Sequence, residues 1–139
     1  MAGQMILVGF AGDSVSETRE IAEMIGEGRL GGVMYLKTNV ASLDEVKRMN
    51  AAFAGARPDL PPFIAIDQEG GAVERLTKAV GFAEIPAAGD IAATRDVLGA
   101  EAIYLKMAQG LKTLGFTLNF GPVVDLNLNP DNPAIGRYK

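Results

Sequence analysis

Asp67 and Glu69, separated by Gln68 and followed at once by Gly70 and Gly71, are the side chains of this sequence with the most direct chemical use. Two carboxylates at this spacing invite comparison with the acid/base pair of a glycosidase. Retaining enzymes hold such a pair about 5–5.5 Å apart and inverting ones about 6.5–9.5 Å apart. Residues two apart on a strand do point the same way, but the two glycines interrupt the strand geometry this would require. An aspartate at a strand end is better suited to accept hydrogen bonds from substrate hydroxyls. Arg75, eight residues on and across the glycine turn, is placed to supply the matching donor. Gly70 and Gly71 permit positive φ and a close approach of ligand to backbone. The competing reading is a strand-to-helix connection carrying solvated acids.

The element that positions these residues is Phe63–Ile66, four consecutive apolar residues that read as a strand buried on both faces. An acid at the end of such a strand is how α/β proteins present polar groups at the rim of a sheet or barrel. Upstream, Gln4–Phe10 reads as a first strand, and Ser14 with Glu17 fits a capping box opening a helix that Gly26 and Gly28 end. Leu30–Leu36 reads as a second strand, with Gly31 and Gly32 marking close packing or a bulge. Ser42 and Glu45 repeat the capping box. Leu43, Val46, Asn50 and Phe53, with Met49 and Ala52 beside them, then mark the buried stripe of a helix through Ala54.

Downstream of Leu76 the chain reads as irregular to about Pro86, then as a short Ala-rich helix. A long helix follows, capped by Thr94 or Asp96. Its apolar positions are Val97, Ala100, Tyr104, Met107, Leu111 and Leu114, and Gly115 stops it. Phe116–Val124 reads as a fourth strand interrupted near Pro122, and Asn127–Lys139 as an ordered loop. Alternating strands and helices imply right-handed crossovers and a parallel sheet. Two architectures fit: a small doubly wound sheet, or the first half of a (β/α)8 barrel, which when complete needs about 250 residues.

Other rim candidates read first as structure. Asp125, at the end of strand four, sits in an Asp-Leu-Asn-Leu-Asn run typical of turn bracing. Lys37, Asn39 and Arg137 read as ordinary solvated loop residues. The Gly70–Gly71 pair has neither the P-loop nor the dinucleotide-binding glycine spacing, so its signal for a phosphate cradle is weak.

Composition narrows the functions available. The 139 residues contain no histidine and no cysteine. That excludes from this chain a histidine-based triad, a histidine or cysteine metal site, a disulfide and thiolate chemistry. A formal net charge of −4 with no Lys/Arg block argues against nucleic acid or an anionic membrane as partner. No apolar run reaches the roughly 20 residues of a membrane span. A cytoplasmic location is expected, with a periplasmic or secreted one the alternative for a chain from which a signal sequence has been trimmed.

Two long motifs carry a resemblance. IAIDQEGGAVERL, then a helix, then GFTLNFGPVVDLNLNPDNPAIGR resembles the N-terminal region of family 3 glycoside hydrolases, in particular their β-N-acetylhexosaminidase branch. The similarity runs from the GQMILVGF strand to Lys139. It implies that residues 1–139 are one partial (β/α)8 domain, the N-terminal half of a TIM-type barrel, in an enzyme that retains configuration through a covalent glycosyl-enzyme. It also implies that Asp67 binds sugar hydroxyls and that Arg75 contacts the sugar. Ala72 stands where the family often has arginine, a place that varies.

The family continues with an R-S-F segment whose arginine binds substrate, a Lys-His pair, a histidine-containing acid/base loop and an aspartate nucleophile. None lies in these 139 residues. The expectation is a chain that looks like the half-barrel before R-S-F, holding part of the sugar subsite, no catalytic group and no cofactor or metal, and inactive alone. Its partners would be a carbohydrate substrate (an N-acetylglucosaminide) and, through open sheet edges, either further copies of itself or the missing barrel half. The alternative is a stand-alone, non-catalytic carbohydrate-binding or structural half-barrel module.

Overall fold

A computed structural model describes residues 2–129 and 131–135. Four strands, β1 (Leu7–Gly9), β2 (Gly32–Tyr35), β3 (Phe63–Ile66) and β4 (Leu118–Asn119), form one sheet in the order β1-β2-β3-β4. Every neighbouring pair is parallel. Helices α1 (Arg19–Gly26) and α2 (Leu43–Ala56) fill the first two crossovers, and α3 (Ala88–Thr94) and α4 (Val97–Thr113) share the third. A strand order that never reverses is that of a (β/α)8 barrel. A doubly wound sheet changes direction at a switch point, so the half-barrel is the architecture present.

Strand alternation separates the two faces of the sheet. Val33, Tyr35, Ile64 and Ile66 point to the helices and join Ile25, Val46, Met49, Phe53, Met107 and Leu111 in one apolar core. Phe10, just past β1, meets Tyr35 and Phe53 edge-on at 5.0 and 5.5 Å, and Tyr35 meets Phe116 at 5.0 Å. The opposite face carries the registered set Gly32–Phe63 and Met34–Ala65. Phe63 is 58% exposed there while Ala65 on the same face is fully buried, so β3 is buried on both faces, as its apolar run predicts, except at its first residue. Gly32 is needed on that face because a Cβ would come within 2.5 Å of the Phe63 carbonyl oxygen. Gly31 makes room in the same way for the main chain at Gln4. The two glycines therefore mark close packing: Gly31 lies just before β2, and the strand register starts at Gly32 and runs on without a bulge.

Several local expectations shift. The first strand is shorter than Gln4–Phe10, because Ala2–Met5 winds into a 3-10 turn. The Ser14/Glu17 capping box does not form. Glu17 instead accepts from the Asp13 N–H at 3.0 Å, and α1 begins at Arg19. At α2 half the box is present: Ser42 Oγ accepts from the Glu45 N–H, while the Glu45 carboxylate accepts from Val15 N at 2.9 Å and ties the two crossovers together. The stripe of α2 is buried as read, at Val46, Met49, Asn50 and Phe53. Asp96 caps α4 by accepting from Gly99 N, and Gly115 takes φ +92° after its end. Val97 is exposed, so the buried stripe of α4 is its C-terminal part, Met107, Leu111 and then Leu114. β4 pairs only over Leu118–Asn119 before Pro122 ends the ladder.

Candidate active-site rim

The strand C-termini bring Asp67 and Arg75 together. An Arg75 Nη donates to Asp67 Oδ2 at 2.7 Å, and the two side chains keep 23% and 20% of their exposure. Arg75 Nε is buried and has no acceptor among the described residues. Glu69 lies beside them. Burial first, and then the neighbouring Asp67 carboxylate, push its pKa above the usual carboxylate range, while Arg75 pulls it back. Glu74 is also raised, mainly by burial, against the opposing effect of the Ile85 N–H that its carboxylate accepts at 3.2 Å. The rim therefore holds one ion pair and two further acids whose ionisation is disfavoured where they stand.

The turn that carries them is built by its glycines and by Gln68. Gly70 and Gly71 take φ of +98° and +60°, a region costly for any residue with a Cβ. Their freedom serves the fold rather than a ligand. The Gly71 N–H donates to Ile85 O at 2.9 Å, and a Cβ at Gly70 would come within 2.5 Å of Pro86 O. What approaches this backbone is the chain's own 85–87 segment. Gln68 is fully buried. Its Oε1 accepts from the N–H groups of Arg75 and Leu76, and its Nε2 donates to Leu76 O, all at 3.0 Å. The main-chain N–H and C=O of Gln68 are both taken by the Asn119 carboxamide at 3.0 Å, which extends the β3–β4 pairing by one step through a side chain.

Asn39 does the same work at the other side of the rim, contrary to its reading as a solvated loop residue. It is fully buried. Its Nδ2 donates to Phe10 O at 2.9 Å and Gly12 O at 2.8 Å, and its Oδ1 accepts from Leu36 N at 2.8 Å. The loop after β1 is thereby locked to the loop after β2. Lys37 is exposed. Asp125 is exposed as well, in a loop braced by asparagines: Asn129 Oδ1 accepts from Asp131 N, and Asn132 Oδ1 from Ala134 and Ile135 N–H. Arg137 lies outside the described residues.

A cavity of about 710 Å³ opens next to Glu69 and Gly70, walled by Ile91, Tyr104, Pro122 and Leu126 among others. No helix among the described residues is long and apolar enough to cross a membrane. The sequence signal for the buried amides was present but mute. Gln68 stands inside the motif, and Asn39 and Asn119 follow strands, yet nothing local distinguishes a buried carboxamide from a solvated one.

Comparison with known proteins places the chain in a family. Residues 2–138 match the profile of the glycosyl hydrolase family 3 N-terminal domain. The chain is 35% identical over 129 residues to beta-hexosaminidase A of Pseudoalteromonas piscicida, covering 84% of this chain and 20% of that protein. It is 35% identical over 138 residues to the beta-hexosaminidase of Stenotrophomonas maltophilia, covering 95% of this chain and 39% of that one. Among solved structures, the family 3 beta-N-acetylglucosaminidase from a Paenibacillus species superposes with a TM-score of 0.85 at 33% identity, over 96% of this chain and 25% of that structure. The chain thus spans well under half the length of these relatives. With its parallel half-barrel and the D-Q-E-G-G turn at the end of β3, this chain belongs to glycoside hydrolase family 3, as the N-terminal part of that family's barrel domain.

Proposed function

We propose that this chain supplies part of the sugar-binding subsite of a retaining β-N-acetylhexosaminidase acting on terminal N-acetylglucosamine or a related N-acetylhexosamine. One observation carries the reading: Asp67 and Arg75 are paired, partly exposed, at the C-terminal end of β3, the end of the strand at which barrel enzymes bind their substrates. A sugar offers hydroxyl donors and acceptors together. Asp67 has carboxylate lone pairs left to take hydroxyl protons, and Arg75 has donors beyond the one committed to Asp67. A pre-formed ion pair also keeps both groups oriented before the sugar arrives, which lowers the cost of ordering them on binding.

The chain has no histidine, and the acid/base group and nucleophile come from elsewhere in the parent enzyme. By itself the chain binds sugar without hydrolysing it. Residues 1–139 act as one partial domain, whose open sheet face, with Phe63 at 58% and Phe120 at 48% exposure, closes against the C-terminal half of the barrel.

The test is an NMR titration of the isotope-labelled chain with N-acetylglucosamine, alongside an assay with a chromogenic N-acetylglucosaminide. Chemical-shift changes centred on Asp67 and Arg75, abolished in Arg75→Ala, and no turnover above an enzyme-free control are expected. Shifts centred elsewhere, or turnover by the pure chain, would overturn the proposal.

A further inference from the structure

We infer that Gln68 is the positioning residue of the Asp67–Arg75 clamp, holding the arginine's backbone in place through both ends of its buried carboxamide. The inference rests on the sugar-binding reading for its functional consequence, but its structural core stands apart from it. The backbone hydrogen bonds of the turn itself end at Val73: Glu69 and Gly70 donate to Val73 O, and Val73 donates to Gly70 O. Arg75 lies beyond that closure. What returns residues 75 and 76 to the end of β3 is the Gln68 side chain, with two bonds accepted and one donated. Gln68 is itself anchored to β4 by the Asn119 carboxamide. The path from the sheet to the Arg75 Cα therefore runs β4, Asn119, Gln68, Arg75.

The residue type follows from that task. The returning segment presents two N–H donors and one C=O acceptor to a site from which water is excluded. A neutral side chain with both an acceptor and a donor is required, and glutamine has them at the right reach. A methionine of similar shape satisfies none of the three groups. A glutamate accepts both N–H bonds, but when ionised it sets a second negative oxygen against Leu76 O and adds charge beside Asp67, Glu69 and Glu74, with Arg75 the one cation on the turn. Gln68 is fully buried while Asp67 and Arg75 keep about a fifth of their side-chain exposure, so Gln68 can hold the clamp without occupying the space a sugar takes.

The decisive experiment compares the wild-type chain with Gln68→Met and Gln68→Glu by NMR at pH 5, where burial favours the protonated form of a glutamic acid at position 68. Val46→Ala on α2 serves as a control that lowers global stability without touching the turn. In Gln68→Met, hydrogen-exchange protection of the Arg75 and Leu76 amides is expected to fall about tenfold further than that of the β2 and β3 amides. The Arg75 guanidinium signals of the Asp67-bound state should be lost. Gln68→Glu should retain those signals, and Val46→Ala should leave them unmoved. Where N-acetylglucosamine binds, its Kd should rise about tenfold in Gln68→Met and less in Gln68→Glu.

If the wild-type chain binds no sugar, the sugar-binding reading fails while the Arg75 signals still decide the positioning role. If Gln68→Met loses protection only in step with the rest of the sheet and keeps the Arg75 signals, the inference is overturned. Should both Gln68 variants fail to fold, the wild-type chain decides alone. A hydrogen-bond coupling between the Arg75 amide nitrogen and Gln68 Cδ supports the inference, and its absence refutes it.

Discussion

Removing Arg75 should cost more than removing the charge of its partner, and the difference should depend on pH in a defined direction. The pair meets at 2.7 Å with about a fifth of each side chain exposed. Opposite charges whose centres lie about 4 Å apart attract by about 4 kcal/mol at an effective dielectric near 20 and by about 1 kcal/mol in water. In Asp67→Asn, Arg75 keeps an oxygen acceptor of the same shape and has Glu69 nearby, so a loss of about 1 kcal/mol is expected at pH 7. In Arg75→Met, two neighbouring carboxylates lose their common cation while partly buried, and about 2–3 kcal/mol is expected.

Glu69 already has a raised pKa from burial and from Asp67, with Arg75 opposing, and without Arg75 it rises further. In the unfolded chain it titrates near the ordinary value of about 4.3. The folded variant then binds more protons than the unfolded one across that interval, so stability falls as pH rises through it and recovers as pH falls. The Arg75→Met penalty should therefore be largest at pH 7 and smaller at pH 5. Urea unfolding followed by circular dichroism measures this: with m near 2 kcal/mol/M, the midpoint should drop by about 1–1.5 M at pH 7. Equal penalties at the two pH values, or a larger loss in Asp67→Asn than in Arg75→Met at pH 7, would refute the argument.

Asn39→Ala should lose about 3 kcal/mol, because three short bonds from a fully buried side chain to main-chain groups vanish together; a loss below about 1 kcal/mol in the same urea assay would mean that water replaces the amide. Tyr35→Phe should be neutral or stabilising by about 0.5–1 kcal/mol, since the Tyr35 hydroxyl is buried with no partner among the described residues. A measured loss above that size would reveal a partner. The isolated chain should self-associate through its open β1 and β4 edges and the exposed sheet face, and a strictly monomeric species in sedimentation at high concentration would contradict that.

Much of the scaffold was legible from local pattern. β3 spans Phe63–Ile66 in both readings, the stripe of α2 is buried where its spacing places it, and Asp96 and Gly115 bound α4. These features depend on interactions within a few residues of chain, so composition and spacing suffice to find them. The motif likewise brought Asp67 and Arg75 forward as candidates, since an acid at a strand end and an arginine across a glycine turn are near each other in sequence.

Tertiary structure decided what each side chain does. The capping carboxylates of Glu17 and Glu45 found other N–H groups, because a helix start competes with whatever the fold brings within reach. Phe63 is exposed at the start of β3 while Ala65 on the same face is buried, a difference that an apolar run cannot disclose. Gly70 and Gly71 look alike whether a ligand or the 85–87 segment approaches them. Asn39, Gln68 and Asn119 were beyond local reading for the clearest reason. A carboxamide is neutral and serves solvent or buried backbone equally well, and the partners that make Asn39 and Asn119 structural lie 29 and 51 residues away. The sequence named the charged groups of the rim; only the folded chain shows that buried amides hold them there.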